Sequence, residues 1–181
     1  MDRTPGIRPR PSFWRRLDIA SRRGTPVAIA VLLLLLLAAP LGLRGQSEMR
    51  GAVTLACVYF WSLFRPASMT PPLVFALGIV VDLLGYGPMG VSVLTLLLAH
   101  GTASRIRRVL VRQGFLLVWL SFAAVALLAA TLQWALSSLL TFRLLPIDGA
   151  AFQAALSVGL YPALATLLGW THQTLAEPDN A

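Results

Sequence analysis

Long apolar runs alternate along this chain with short clusters of arginine, proline and glycine, and the runs have helical length. The first is Pro26–Leu43, rich in leucine from Leu32 to Leu37, followed by a polar loop from Arg44 to Arg50. The second, Gly51–Phe64, would cover only about 21 Å as a helix at ~1.5 Å per residue, so it must borrow length from its flanks. Arg65-Pro66 ends it, because a proline disfavours helix at the residue before it. Pro71 and Pro72 suit the start of a third helix, Pro72–Tyr86, where a missing N–H costs nothing. A fourth run spans Pro88–Ser104, and Arg105, Arg107, Arg108 and Arg112 form the loop after it. Gln113–Phe142 carries no charge; it would reach about 45 Å as one helix, too short for two membrane crossings and a turn. One long or tilted helix is therefore expected there. The sixth run, Ala150–Trp170, is broken by Tyr161-Pro162. None of these runs shows the strict two-residue alternation of a membrane β-barrel.

Composition turns this pattern into a compartment. Hydrophobic residues make up 57% of the 181 positions and charged residues 12%, about half the charge of a soluble domain, and the mean hydropathy is +0.74. The expectation is an all-α integral membrane protein, a bundle of about six transmembrane helices forming one domain over residues 25–172. A basic tail over 1–24 and a short tail over 173–181 flank it. All 15 basic residues are arginine and the net charge is +8. Such a charge suits nucleic acid, but these arginines border apolar runs, where they orient helices; no nucleic-acid partner is expected. With six spans, twelve arginines fall on the side of the N-terminus and three, Arg44, Arg50 and Arg143, on the other. Both termini are then cytoplasmic in a bacterial inner membrane. A five-span arrangement stays open, since the C-terminal tail has no arginine.

The N-terminal segment holds seven arginines and three prolines, and its first eleven residues have the composition of a disordered tail. Phe13, Trp14, Leu17 and Ala20 share one helical face, which suits either a short helix on anionic lipid or a simple orienting tail. Ser21-Arg22-Arg23 faintly resembles a twin-arginine signal. Thr25-Pro26 follows it and no cleavage site appears after Leu37, so the segment reads as a retained first helix. Cys57 stands alone, which leaves no intrachain disulfide and no cysteine-based metal site.

The candidate chemistry centres on one carboxylate. Between Arg65 and Arg105 lie 39 residues with a single charge, Asp82. It stands roughly 6–9 Å along a helix from the Tyr86–Pro88 break, near the outer surface rather than the midplane where ion sites cluster. The first expectation is that it accepts backbone N–H groups freed at the turn and at the start of the next helix. Contact with a partner comes second, and proton or ion coupling third. Arg65 is about 25 Å away along one helix, so the two do not pair. Gly85, Gly87 and Gly90 around Pro88 suit a tight helical hairpin; the lysine of a phosphate loop is missing. His100 and His172 lack companions at metal-ligand spacing, and neither paired carboxylates nor a Gly-x-Ser-x-Gly is present. No cofactor, metal or catalytic residue is expected. Tyr59, Trp61, Trp119 and Trp170 read as interfacial anchors. Ala99/Ala103 and Gly159/Ala163 have the spacing for close helix contact.

The order of these features, Tyr59-Phe-Trp, Arg65-Pro66, Phe75-x-x-Gly78, Asp82-Leu-Leu-Gly85 and Pro88-Met-Gly90-Val91, resembles the rod shape-determining protein MreD family over about Tyr59–Ala103. The late pair Tyr161-Pro162 also fits, whereas the N-terminal 24 residues and the first span are not diagnostic. The resemblance implies a non-enzymatic membrane scaffold of the bacterial cell-wall elongation complex, which contributes to rod shape and side-wall peptidoglycan synthesis. It implies an MreC-like single-span partner, and through it the MreB filament, the RodA glycosyltransferase and a class B penicillin-binding protein. It also implies a helical organisation similar to the substrate-binding subunits of energy-coupling-factor transporters. The structural or partner-contact candidates are then Arg65, Pro66, Gly78, Asp82, Gly85, Gly87, Pro88, Gly90, Tyr161 and Pro162, with anionic lipid as a further partner of the arginines. The alternative is a transporter subunit that captures a small molecule. Against it, the loops carry few polar residues to orient a ligand.

Overall fold

A computed structural model describes residues 13–39, 45–85 and 87–176, with side chains placed over 24–39, 45–85 and 87–170. The expected tail over 1–11, the last five residues, Tyr86 and the His172 side chain lie outside what is described. Among the described residues all regular structure is helical, in six helices: α1 (Phe13–Ala38), α2 (Gln46–Phe64), α3 (Pro71–Leu84), α4 (Val91–Leu110), α5 (Phe115–Thr141) and α6 (Asp148–Ala176). α5 and α6 are long and apolar enough to cross a membrane.

α2 is the central helix. Every residue from Ala52 to Leu63 is buried, and α2 packs against α1, α4 and α6, while α3 pairs with α4 and α5 with both α4 and α6. Tyr59 and Trp61 are each 0% exposed, so the expectation that they anchor an interface is corrected. A run so short and so apolar is the core of the bundle, and its aromatic rings are core filling. Trp170, at 78% exposed, keeps the exposure an anchor needs. Cys57 is buried within the same stretch. Of the small-residue pairs, Ala99 and Ala103 are buried, whereas Gly159 and Ala163 are exposed.

Helix limits differ from the hydropathy reading in an informative way. The residues taken as a polar loop, from Gln46 to Arg50, form the first turn of α2, which lengthens that helix to 19 residues. Arg105, Arg107 and Arg108, read as loop, ride on the last turns of α4. The surface helix expected near Phe13 and the first span are one continuous helix with Pro26 inside. Hydropathy marks where side chains turn polar, not where backbone hydrogen bonding stops, so α2 begins before its apolar stretch and α4 continues past its own, whereas α5, at 27 residues, lies within its uncharged run. Two boundaries are local chemistry. α2 ends at Phe64, with the Arg65 N–H bonded to the Trp61 carbonyl and Pro66 next. α3 opens on Pro71 and Pro72 after an extended Thr70.

The break expected at Tyr161-Pro162 is absent: α6 runs through Pro162 without interruption. A proline inside a helix removes the N–H that would bond the carbonyl four residues earlier. That carbonyl belongs to Val158, and the Trp119 indole N–H of α5 donates to it at 3.0 Å. A side chain from a neighbouring helix supplies the missing donor.

Candidate functional site

The ends of the helices form two different environments. One end gathers the start of α2 with the α3–α4 and α5–α6 connections; the other gathers the α2–α3 and α4–α5 connections. Asp82 lies at the first end, on the last turn of α3. Its Oδ2 accepts the Gly90 N–H at 2.7 Å and its Oδ1 accepts the Ser92 N–H at 3.1 Å. Both donors belong to the start of α4, whose first amides have no partner within the helix. Asp82 as a residue is 8% exposed, and its carboxylate closes the hairpin as a cap contributed by the preceding helix. Gly85 does not have a left-handed backbone, at φ −94°, whereas Gly90 does, at φ 93°. That conformation delivers its N–H to Asp82 and disfavours any side chain there.

Two more contacts hold this hairpin. The Arg50 guanidinium on α2 donates through Nη1 to the Leu84 carbonyl at 2.7 Å, satisfying an orphan acceptor at the end of α3. Deeper in the bundle, a Cβ placed on Gly78 would stand 2.5 Å from the Val93 Cα. Glycine at 78 therefore sets how closely α3 and α4 approach. The same logic of an arginine on an orphan carbonyl recurs at the opposite end, where Arg107 Nε donates to Leu63 O at 2.8 Å near the end of α2. Hydropathy reading assigns these arginines to orientation alone; their hydrogen bonds to helix ends are a second role that charge counting does not reveal.

Between the hairpin and helices α2, α5 and α6 lies a cleft of about 200 Å³. Asp82, Gly85, Gly87 and Pro88 line one side, with Glu48, Arg50, Gln133, Ser137 and Gln153 around the rest. A narrow extension of about 20 Å³ continues inward past Thr54 and Thr95. Gln153 Nε2 donates to Gln133 Oε1 at 3.1 Å, joining α6 to α5. Gln153 lies directly on α2 because residue 51 is glycine: a Cβ there would meet Gln153 Nε2 at 2.7 Å. None of Arg50, Gln133 and Gln153 stood out as site residues in the sequence. The available signal was a glutamine within each of two otherwise apolar runs.

The other sequence candidates lie apart from this cleft. Arg65 and Pro66 terminate α2 at the opposite end, far from Asp82. Tyr161 belongs to an aromatic cluster in the interior, stacked on Phe122 at 4.1 Å between centroids and edge-on to Tyr59 at 5.9 Å. The Tyr59 hydroxyl meets Ser121 Oγ at 2.5 Å, whereas the buried Tyr161 hydroxyl and the Trp61 indole N–H have no hydrogen-bond partner. A hydroxyl in that position carries its desolvation cost without a compensating bond. Tyr161→Phe is therefore expected to leave thermal stability in detergent unchanged or slightly higher, while Tyr161→Ala lowers it by about 3–5 kcal/mol through the cavity it opens. A loss with phenylalanine as large as with alanine would show that the hydroxyl is bonded. Next to Tyr161 an apolar groove of about 330 Å³ runs among Phe60, Phe64, Leu110, Phe115 and Val118.

His100 is buried, with Nδ1 2.7 Å from Ser62 Oγ. Ser62 gives its own proton to the Val58 carbonyl, so His100 Nδ1 is the donor of the pair. This links α4 to α2. Among the described residues no group of three His, Cys, Asp or Glu side chains comes together. No protein-family model, curated protein or solved structure matches the chain.

Proposed function

We propose that this protein is a multi-pass scaffold of the bacterial cytoplasmic membrane, of the MreD kind, that holds a single-span MreC-like partner within the cell-wall elongation complex. The observation that carries the reading is the α3–α4 hairpin. Three of the residues that carry the MreD resemblance fasten it: Gly78 for close approach, Asp82 for the cap and Gly90 for the turn. Membrane residence is supported by the outer surface. Leu32, Leu35, Leu36, Leu116, Leu117, Leu120, Leu127, Leu128, Leu139 and Leu140 are all exposed, an apolar area that water would penalise and lipid would not. α2, α4, α5 and α6 have 19, 20, 27 and 29 residues, near or above the ~20 needed to cross a bilayer. The 14-residue α3 needs local thinning or its flanking turns to do so.

In this reading the end with Arg65, Arg105, Arg107, Arg108 and Arg112 faces the cytoplasm and anionic lipid, and the Asp82 cleft faces outward. A reporter fused after Ala181 is expected to be cytoplasmic; a periplasmic signal would sink the six-span topology. The functional test is depletion in the native host with affinity recovery of the tagged protein. Rounded cells and co-recovery of an MreC-like protein are expected, and unchanged rod shape with no such partner would overturn the proposal.

The cleft favours a second reading, a membrane subunit that captures a small molecule, with a helical arrangement similar to energy-coupling-factor substrate-binding subunits. Its polar groups come from helices, so the scarcity of polar residues in the loops does not count against it.

A further inference from the structure

The cleft beneath the α3–α4 hairpin contains polar groups of both signs that are not matched to each other. Arg50 bonds the Leu84 carbonyl and Glu48 bonds the Ser47 hydroxyl, at 2.7 Å each, although both residues line the same cavity. A guanidinium has five N–H donors, and the Leu84 bond occupies one of them. Asp82, in contrast, has each carboxylate oxygen engaged by a backbone N–H. The floor is amide: the Gln153–Gln133 bond leaves the Gln153 carbonyl and the Gln133 amide N–H groups available for a further amide.

This lining selects by charge. An apolar ligand would strip water from these groups without replacing its hydrogen bonds. A simple anion would meet Glu48 and Asp82, and a simple cation would meet Arg50. A metal ion lacks a donor set, because Asp82 is engaged and no third His, Cys, Asp or Glu joins it among the described residues. A molecule with a carboxylate at one end, an ammonium group at the other and an amide between them answers each group in turn, and it brings no net charge into the bundle. The volume of about 200 Å³, roughly seven waters at ~30 Å³ each, sets its size at that of a short peptide.

We propose that this cleft is a binding site for a small zwitterion of dipeptide size, with its carboxylate on Arg50, its ammonium group on Glu48 and its amide on the Gln133–Gln153 pair. The site depends on neither functional reading, since a scaffold and a capture subunit could both contain it. Losing it would leave the scaffold tests untouched.

The experiment is calorimetric titration of the full chain in phospholipid nanodiscs with glycylglycine, with empty nanodiscs as the blank. N-acetylglycinamide, which has amides but no charges, is the second probe. Saturable one-to-one binding of glycylglycine and none of N-acetylglycinamide are expected. Glu48→Gln leaves the hairpin bonds in place; it should keep the melting temperature and weaken glycylglycine about tenfold, the loss of one charge-assisted hydrogen bond. Gln133→Leu should weaken it as well. Absence of saturable heat with glycylglycine, equal binding of the uncharged probe, or full affinity in a folded Glu48→Gln protein would each overturn the proposal.

Discussion

Replacing Gly78 with valine is expected to unfasten α3 from α4 and to cost about 3 kcal/mol or more, the upper part of the range for overpacking a core. The reason is what the new side chain would strike. A Cβ at 78 lies 2.5 Å from the Val93 Cα and 3.0 Å from the Val93 N. Backbone cannot swing aside as a flexible side chain would, so the helices must move apart. That displacement pulls Ser92 and Gly90 away from Asp82, and the loss extends to the cap. Gly78→Ala should show a smaller loss of the same kind, because it adds the clashing atom and nothing beyond it. Thermal unfolding of purified protein in detergent measures both. Unchanged melting of the valine variant would mean that the two helices do not pack as closely as 2.5 Å implies.

The second large effect is at Asp82. Asp82→Ala removes two charge-assisted acceptors and leaves the Gly90 and Ser92 N–H groups without a protein partner, an expected cost of about 2–4 kcal/mol. Asp82→Asn keeps one acceptor and the shape, and should cost about half as much. Membrane insertion, which follows apolar length and arginine placement, should be unaffected by either. The prediction is therefore a split: normal amounts in the membrane fraction, with a lower yield of folded protein and of partner complex after extraction. Normal yield, normal partner recovery and normal cell shape for Asp82→Ala would remove the case for this residue.

The hydrogen bonds of Asp82 were legible in the sequence because the clue was local: a lone carboxylate, a countable distance to a turn, and helix amides that must find acceptors. The starts of α3 and the end of α2 were legible for the same reason, through proline. What could not be read was anything set by a neighbour across the bundle. Tyr59 and Trp61 look like anchors until α2 proves to be surrounded on all sides. Pro162 looks like a break until Trp119 supplies a donor. Arg50 and Arg107 look like topology signals until each meets a carbonyl on another helix. Gln133 and Gln153 are twenty positions apart, and their convergence follows only from the antiparallel pairing of α5 with α6.

The bond from Trp119 to the Val158 carbonyl has a consequence for how this sequence can change over time. The indole and the proline four residues beyond that carbonyl form one physically coupled unit across two helices. A chain that loses Pro162 regains its own donor, and position 119 is released from the need for an N–H; a chain that loses Trp119 first leaves an acceptor stranded until the proline is replaced. Substitutions at 119 and 162 should therefore travel together through descent, with proline lost before tryptophan.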